Sequence, residues 1–327
     1  VIGRIAPRTP LAHLPTPIER ADRLGAALGL APDQLWIKRD DCTGLAGGGN
    51  KARKLEHLCT EALAQGCDAL VTGGGRQSNH ARMTAAAANK LGMRATIVLA
   101  SEPPDVATGN VVLDHVLAPE IVWAGALDYY GIEAAIAAAA DELEVAGHRP
   151  YAIPVGGASV IGAMGYVVAA QEMESQLDDI ALVVVADGSG GTHAGLAAGL
   201  GSFDRVLGVD VGTRPDLDDA VPAITRDVAL AAGLAPPTGT CRVDHESYGK
   251  DYGDPTAECR AALHLTATTE GVLLDPVYSG KAMVALMSAA RDGRLPAAGR
   301  IVFLHTGGLP AIFSNRYADW VTRTDPR

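Results

Sequence analysis

The sequence predicts an α/β protein built on open, twisted parallel sheets with helices on both faces, divided into two domains. Three observations carry this. Strand-like and helix-like stretches alternate at short spacing, the order of βαβ units. The strand-like runs, Asp68-Ala69-Leu70-Val71-Thr72 and Ile180-Ala181-Leu182-Val183-Val184-Val185 above all, are apolar along their length, as in strands covered on both faces. Glycine-rich loops stand where such runs meet helices, at 44–49, 73–75 and 188–191.

Taken in order, residues 16–29 carry apolar positions at helical spacing, and 34–39 read as a strand. A helix begins at Lys51 and runs to about Gln65 with the stripe Leu55, Leu58, Cys59, Ala62 and Leu63; Gly66 stops it. The strand at 68–72 follows, then an alanine-rich helix to about Leu91 and a strand at 94–99. Residues 110–118 and 131–146 read as helices, 119–123 and 150–154 as strands. Gly156-Gly157-Ala158-Ser159 forms a hinge before a helix at 160–176. After the strand at 180–185 and its glycine loop come a helix of small residues and a strand at 206–211. Helices at 255–268 and 280–292 precede a late strand at 301–304. The ordering predicts a larger domain of 1–49 plus 161–327 and a smaller α/β domain of 50–160.

Composition limits the function classes. The chain has 327 residues, 48% of them hydrophobic, which supports a globular core. Its net charge of −11 opposes generic binding to nucleic acid or anionic membrane. No apolar run reaches the roughly 18 residues of a membrane helix. The stretch Val1–Arg8 lacks a signal-peptide core. The five cysteines form no Cys-x-x-Cys pair, so no metal site and no disulfide framework is expected, and reduced thiols point to the cytoplasm.

Five stretches carry chemistry. Gly47-Gly48-Gly49-Asn50-Lys51 places a lysine where a glycine loop enters a helix. The helix start and the nearby cations Arg53 and Lys54 disfavour its charged form, as imine chemistry requires. The loop is no P-loop, because Asn50 separates Gly49 from Lys51 and Ala52 follows. Ser78-Asn79-His80 precedes a helix and offers donors to a carboxylate, while Ser78 also suits an N-cap. The loop Gly188-Ser189-Gly190-Gly191-Thr192-His193 can cradle a phosphate. It half-matches a dinucleotide fingerprint, with Asp210 placed for a ribose. Tyr278 in Asp275-Pro276-Val277-Tyr278-Ser279-Gly280-Lys281 and Thr306 in His305-Thr306-Gly307-Gly308 complete the set.

In this order the motifs resemble the D-cysteine desulfhydrase and 1-aminocyclopropane-1-carboxylate (ACC) deaminase family, which also includes L-cysteate sulfo-lyases. The resemblance covers nearly the whole chain. It implies a fold type II pyridoxal-phosphate (PLP) enzyme of the tryptophan-synthase β-like fold, a homodimer acting on a small amino acid. By resemblance, Lys51 bonds to the PLP aldehyde and Asn79 meets the cofactor's phenolic oxygen. Ser189, Gly190, Gly191 and Thr192, with Lys54, hold its phosphate, and Thr306 meets its ring nitrogen. Ser78, Asn79 and His80 face the substrate carboxylate or reacting centre, with Tyr278 near the substrate and Tyr252 as a second active-site tyrosine. Lys51, Ser78, Tyr278 and Tyr252 form the implied catalytic group.

His80, Ser279 and Thr306 stand where the ACC deaminase pattern has Gln, Glu and Leu, so α,β-elimination from D-cysteine is expected ahead of L-cysteate or ACC. Two departures from the family remain: Arg76 at a position usually apolar, and Gly249-Lys250-Asp251 in place of Ala/Gly-Pro-Gly. They leave room for an acidic substrate side chain, or for Arg76 to pair with a surface carboxylate. The substrate's enantiomer stays open. The alternative of another class is a nucleotide-binding or non-catalytic sensor protein built on 188–210.

Overall fold

The computed structural model describes residues 8–323; most of the N-terminal stretch read above for a signal peptide lies outside the described residues. The first half of the chain gives β1 (Ile18–Arg20), α1 (Asp22–Ala27), β2 (Leu35–Lys38), α2 (Lys51–Ala64), β3 (Ala69–Gly75), α3 (Asn79–Leu91), β4 (Arg94–Ala100), α4 (Asn110–Leu117), β5 (Glu120–Trp123), α5 (Tyr129–Val145) and β6 (Pro150–Ala152). The second half gives α6 (Val160–Gln176), β7 (Ile180–Asp187), α7 (Gly191–Leu200), β8 (Val206–Asp210), α8 (Leu217–Ala231), β9 (Arg242–Asp244), α9 (Ala257–Glu270), α10 (Ser279–Arg291), β10 (Arg300–Leu304) and α11 (Ala318–Thr322).

The strands form two sheets. One has six strands in the order β1-β2-β10-β7-β8-β9, and the other four in the order β5-β4-β3-β6. All pairings are parallel except β1 with β2. Alternation along a buried strand assigns its two faces. Leu182, Val184 and Ala186 pack with Ile301, Phe303, Cys259, Met283 and Leu286 on the α9–α10 side. Val183 and Val185 pack with Val302, Leu304, Tyr166, Leu196 and Val221 on the α6–α8 side. In the smaller sheet Leu70 faces α2 and α3, and Val71 faces α5. No helix among the described residues is long and apolar enough to cross a membrane.

Three local expectations change. Residues 16–29 are not one helix: Ile18–Arg20 pair antiparallel with Trp36–Lys38, and only Asp22–Ala27 are helical. The free edge of β2 offers backbone donors and acceptors to this segment, which outweighs a weak helical pattern. Gly73–Gly75 extend β3 instead of looping. Finally, α8 and β9 escape the sequence reading, because Pro222 interrupts the helical pattern of α8 and β9 has only 3 residues.

Helix α2 is fixed by a buried ion cluster. The Arg53 guanidinium donates to both Asp40 oxygens, at 2.8 and 2.9 Å, and to both Glu172 oxygens, at 2.8 and 3.0 Å. Tyr166 and Thr16 also donate to Asp40, at 2.6 and 2.8 Å, and Lys38 donates to Glu172 at 2.5 Å. Burial alone would raise the Asp40 pKa; the charge and hydrogen bonds of Arg53 outweigh it and hold the carboxyl below its usual range. Removing one partner leaves the others charged and dry. Arg53→Ala is therefore expected to cost about 3–5 kcal/mol, read as a lowered urea midpoint.

Candidate active site

A cavity of about 800 Å³ opens between the two sheets at the carboxyl ends of β3, β7, β8 and β10, where open α/β sheets bind ligands. Its wall includes Lys51, Ser78, Asn79, His80, Ser189, Gly190, Thr192, Tyr252, Tyr278 and Thr306. Lys54 and Gly191 lie directly behind it. Residues from distant parts of the chain, and from loops of both sheets, thus meet in one place.

Lys51 is the first residue of α2, at the end of the glycine loop. The loop is tied to the end of β10: the Asn50 N–H donates to the Thr306 carbonyl at 3.0 Å. The Lys51 head opens onto the cavity, but the cavity lies deep in the molecule. Burial lowers its pKa to about 8, against a partial opposing pull from Asp187. The cause differs from the one read in the sequence: Arg53 is turned away into its ion cluster, and desolvation dominates. Lys54, fully buried, donates to the Gly156 carbonyl at 3.1 Å. Burial and the neighbouring Lys51 hold its pKa well below the lysine range.

Gly156 sits against both Lys51 and Ser189. A Cβ there would stand 2.4 Å from Ser189 Oγ and 3.6 Å from Lys51 Nζ, and its φ of +65° also disfavours a side chain. The Ser189–Thr192 segment carries the start of α7. Asp187 shapes it by accepting from the Gly190 N–H at 3.0 Å and pairing with His193 Nδ1 at 2.9 Å. Burial would lower the His193 pKa, but the hydrogen bonds to Asp187 and Cys241 raise it to about 9. Asn50 donates to the Thr192 hydroxyl at 3.2 Å, joining this loop to the lysine loop.

At the start of α3, Ser78 caps the helix by accepting from the Ala81 N–H at 3.1 Å. His80 is buried with neither ring nitrogen hydrogen-bonded. Burial first, then Lys51 and Lys54, drive its pKa well below the histidine range, so it is neutral. The Asn79 side-chain oxygen accepts from Arg82 and Asn110, two residues the sequence reading did not single out.

Tyr252 and Tyr278 share a hydrogen bond at 2.5 Å between their hydroxyls. Burial raises the pKa of both above the tyrosine range, so both are neutral hydroxyls able to hold or pass a proton. Tyr278 is held by Asp275, whose carboxylate accepts from the N–H groups of Val277, Tyr278 and Ser279 at 2.8, 2.9 and 2.8 Å. Ser279 Oγ also donates to Asp275, at 2.6 Å.

Asp210 also lines the cavity, where its carboxylate accepts from the Gly212 N–H at 2.7 Å and pairs with His245 Nδ1 at 3.0 Å. Lys250 and Asp251 stand exposed at the cavity rim. Arg76 is exposed outside the cavity, beside a smaller one of about 230 Å³ behind Tyr252, and makes no ion pair among the described residues. The surface pairing offered above as one of two readings of Arg76 is therefore not met.

Comparisons with known proteins identify the family. The pattern of the pyridoxal-phosphate dependent enzyme family matches residues 9–307. A D-cysteine desulfhydrase of Serratia proteamaculans (strain 568) is 42% identical, over 94% of this chain and 96% of that protein. A solved structure described as an ACC deaminase homologue is 37% identical, with a TM-score of 0.87 over 96% of this chain and 95% of that one. A threonine deaminase from Solanum lycopersicum, 17% identical with a TM-score of 0.64 over 98% of this chain and 92% of that one, shares the fold. The chain is a fold type II member of the pyridoxal-phosphate dependent enzymes, and it belongs to the family of the D-cysteine desulfhydrases and ACC deaminase homologues.

Proposed function

We propose that the protein catalyses α,β-elimination from D-cysteine, consuming water and releasing pyruvate, hydrogen sulfide and ammonia. The carrying observation is a single cavity that holds a lysine with a pKa of about 8 together with a hydrogen-bonded tyrosine pair. It contains the two proton-handling groups that elimination needs. We further propose a homodimer acting in the cytoplasm, with the cleft lying between domains of 1–49 plus 161–327 and 50–160.

The residues fit PLP. Lys54, fully buried, and half-buried Lys51 lie near this loop, and a Cβ at Gly191 would stand 3.0 Å from Lys54 Nζ, so the loop backbone and the lysine head share one small space. Such a cradle suits a phosphate, which offsets both positive charges. Ser189, Gly190, Gly191 and Thr192, with Lys54, would hold the phosphate. Lys51 would bond to the aldehyde, Asn79 would meet the phenolic oxygen and Thr306 the ring nitrogen. When bound, PLP supplies an electrophilic aldehyde and a conjugated ring that accepts the electron pair of a broken Cα–H bond.

The chain's own groups then divide the work. Ser78, Asn79 and neutral His80 at the start of α3 receive the substrate carboxylate, aided by the helix dipole. Lys51 removes the Cα proton, because its depressed pKa leaves a usable fraction of free amine near neutrality. Tyr278 protonates the departing sulfur, and Tyr252 supports it by donating to its hydroxyl. Thr306 offers only a neutral hydroxyl to the ring nitrogen, which favours prompt loss of the sulfur over racemisation.

The 37% identical ACC deaminase homologue gives a second reading a basis. Against it, Ser279 is fully buried and bonded to Asp275, so the Glu of the ACC pattern would set two carboxylates together. L-Cysteate and the exposed rim residue Lys250 define a third reading within the family.

A panel of D- and L-amino acids with β-leaving groups, assayed for pyruvate, tests the reaction; D-cysteine is expected to be the best substrate, and no pyruvate from any member defeats the elimination reading. In the same assay Tyr278→Phe is expected to lose roughly 10²–10⁴-fold in kcat. Full activity would remove Tyr278 from the proton-donor role. ACC is expected to give negligible 2-oxobutanoate, and efficient turnover would restore the deaminase reading. For Lys51, the free amine is the reactive form, so capture of PLP by the cofactor-free protein should accelerate as pH rises through about 8. Lys51→Ala should show no yellow colour that borohydride can fix.

A further inference from the structure

The side chain of Asn79 is oriented by the protein itself. Its oxygen Oδ1 accepts from Arg82 Nη1 at 2.9 Å and from Asn110 Nδ2 at 3.0 Å. An amide whose oxygen already serves two donors has only its NH₂ end left to offer. Arg82 is anchored in turn. It is fully buried, Nη2 donates to the Gly48 carbonyl at 3.0 Å, and Nη1 also donates to Asn110 Oδ1. Asn110 is fixed by Gln77, whose backbone carbonyl accepts from Nδ2 at 2.8 Å and whose Oε1 accepts from the Asn110 N–H at 2.7 Å. The network therefore runs from the start of α4, through Arg82, to the glycine loop that delivers Lys51.

Resting on the reading that PLP is bound at Lys51 with its phenolic oxygen at Asn79, we propose that Arg82, seconded by Asn110, is a positioning residue. It locks Asn79 with its NH₂ toward that oxygen and so sets the pH at which the Lys51–cofactor linkage loses its proton. A donor at the phenolic oxygen stabilises negative charge there and weakens that oxygen's hold on the linkage proton. If Asn79 turns over, its carbonyl faces the oxygen instead and the proton is held more tightly. The titratable groups nearby are Asp114, which faces Arg82 and whose pKa burial raises to about 7, and Asp187, Lys54 and His80, which face Lys51.

The test is a pH titration of the visible absorption of the holoenzyme, which does not depend on turnover. Arg82→Ala is expected to raise the midpoint by about one pH unit, with Arg82→Lys in between. Asn79→Ala should raise it as well, and the Arg82→Ala/Asn79→Ala pair should move it no further than Asn79→Ala alone. A further rise in the pair would assign the effect to the guanidinium charge acting through space and overturn the positioning role. Asn110→Ala, which removes a donor without removing a charge, should raise the midpoint too; it carries the test if Arg82→Ala does not fold. A midpoint moved by Asn79→Ala but by neither Arg82→Ala nor Asn110→Ala would reduce Arg82 to a structural residue. If Asn79→Ala leaves the midpoint in place, it is the placement of Asn79 at the cofactor that fails.

Discussion

The site depends on where one arginine puts its charge. Lys51, Arg53 and Lys54 fall within one turn of α2, and three cations in a single dry cavity would repel one another strongly. The helix separates them. Arg53 turns to the opposite side and is matched there by Asp40 and Glu172. Only the two lysines remain toward the cavity, where burial depresses both. The same ion cluster ties α2 to α6 and to the end of β2, so the neutralisation of one charge also sets the position of another.

Carboxylates organise the remaining loops by one device. Asp275 gathers the N–H groups that precede α10 and thereby places Tyr278. Asp187 gathers the Gly190 N–H and His193 and thereby shapes the loop before α7. In both, a buried acid spends its lone pairs on a turn, which costs little once every oxygen is bonded. Irregular backbone can then hold a side chain as rigidly as a helix would.

Much of this was legible in the sequence, for physical reasons. A short, β-branched apolar run bounded by a glycine loop, such as 180–185, reads as a buried strand, and glycine loops at strand–helix junctions mark where a sheet opens to ligand. The lysine loop, Ser78–His80 and the loop at 188–192 stood out by their residue types at such junctions, Tyr278 gained weight only in combination with them, and Tyr252 came only from the family resemblance. Interactions across the fold were not legible. Nothing local indicates that Arg53 faces away from Lys51, that Asp210 is taken by His245, or that Arg82 reaches Asn79 and Gly48. Segment 16–29 failed because a neighbouring strand edge, absent from any local pattern, decided its conformation.

The strand order has a consequence for how the chain comes into being. In the larger sheet β10 lies between β2 and β7, although it is the last of the described strands in chain order. Until residues 300–304 leave the ribosome, β2 and β7 each lack a neighbour, and both present an open edge along a buried apolar face. Thr306, two residues beyond that strand, closes the cavity and accepts from the Asn50 backbone. The nascent polypeptide therefore carries its reactive lysine for most of its synthesis without the pocket that tames it. A prematurely released fragment is both cofactor-incompetent and sticky, a ready client for chaperones and proteases.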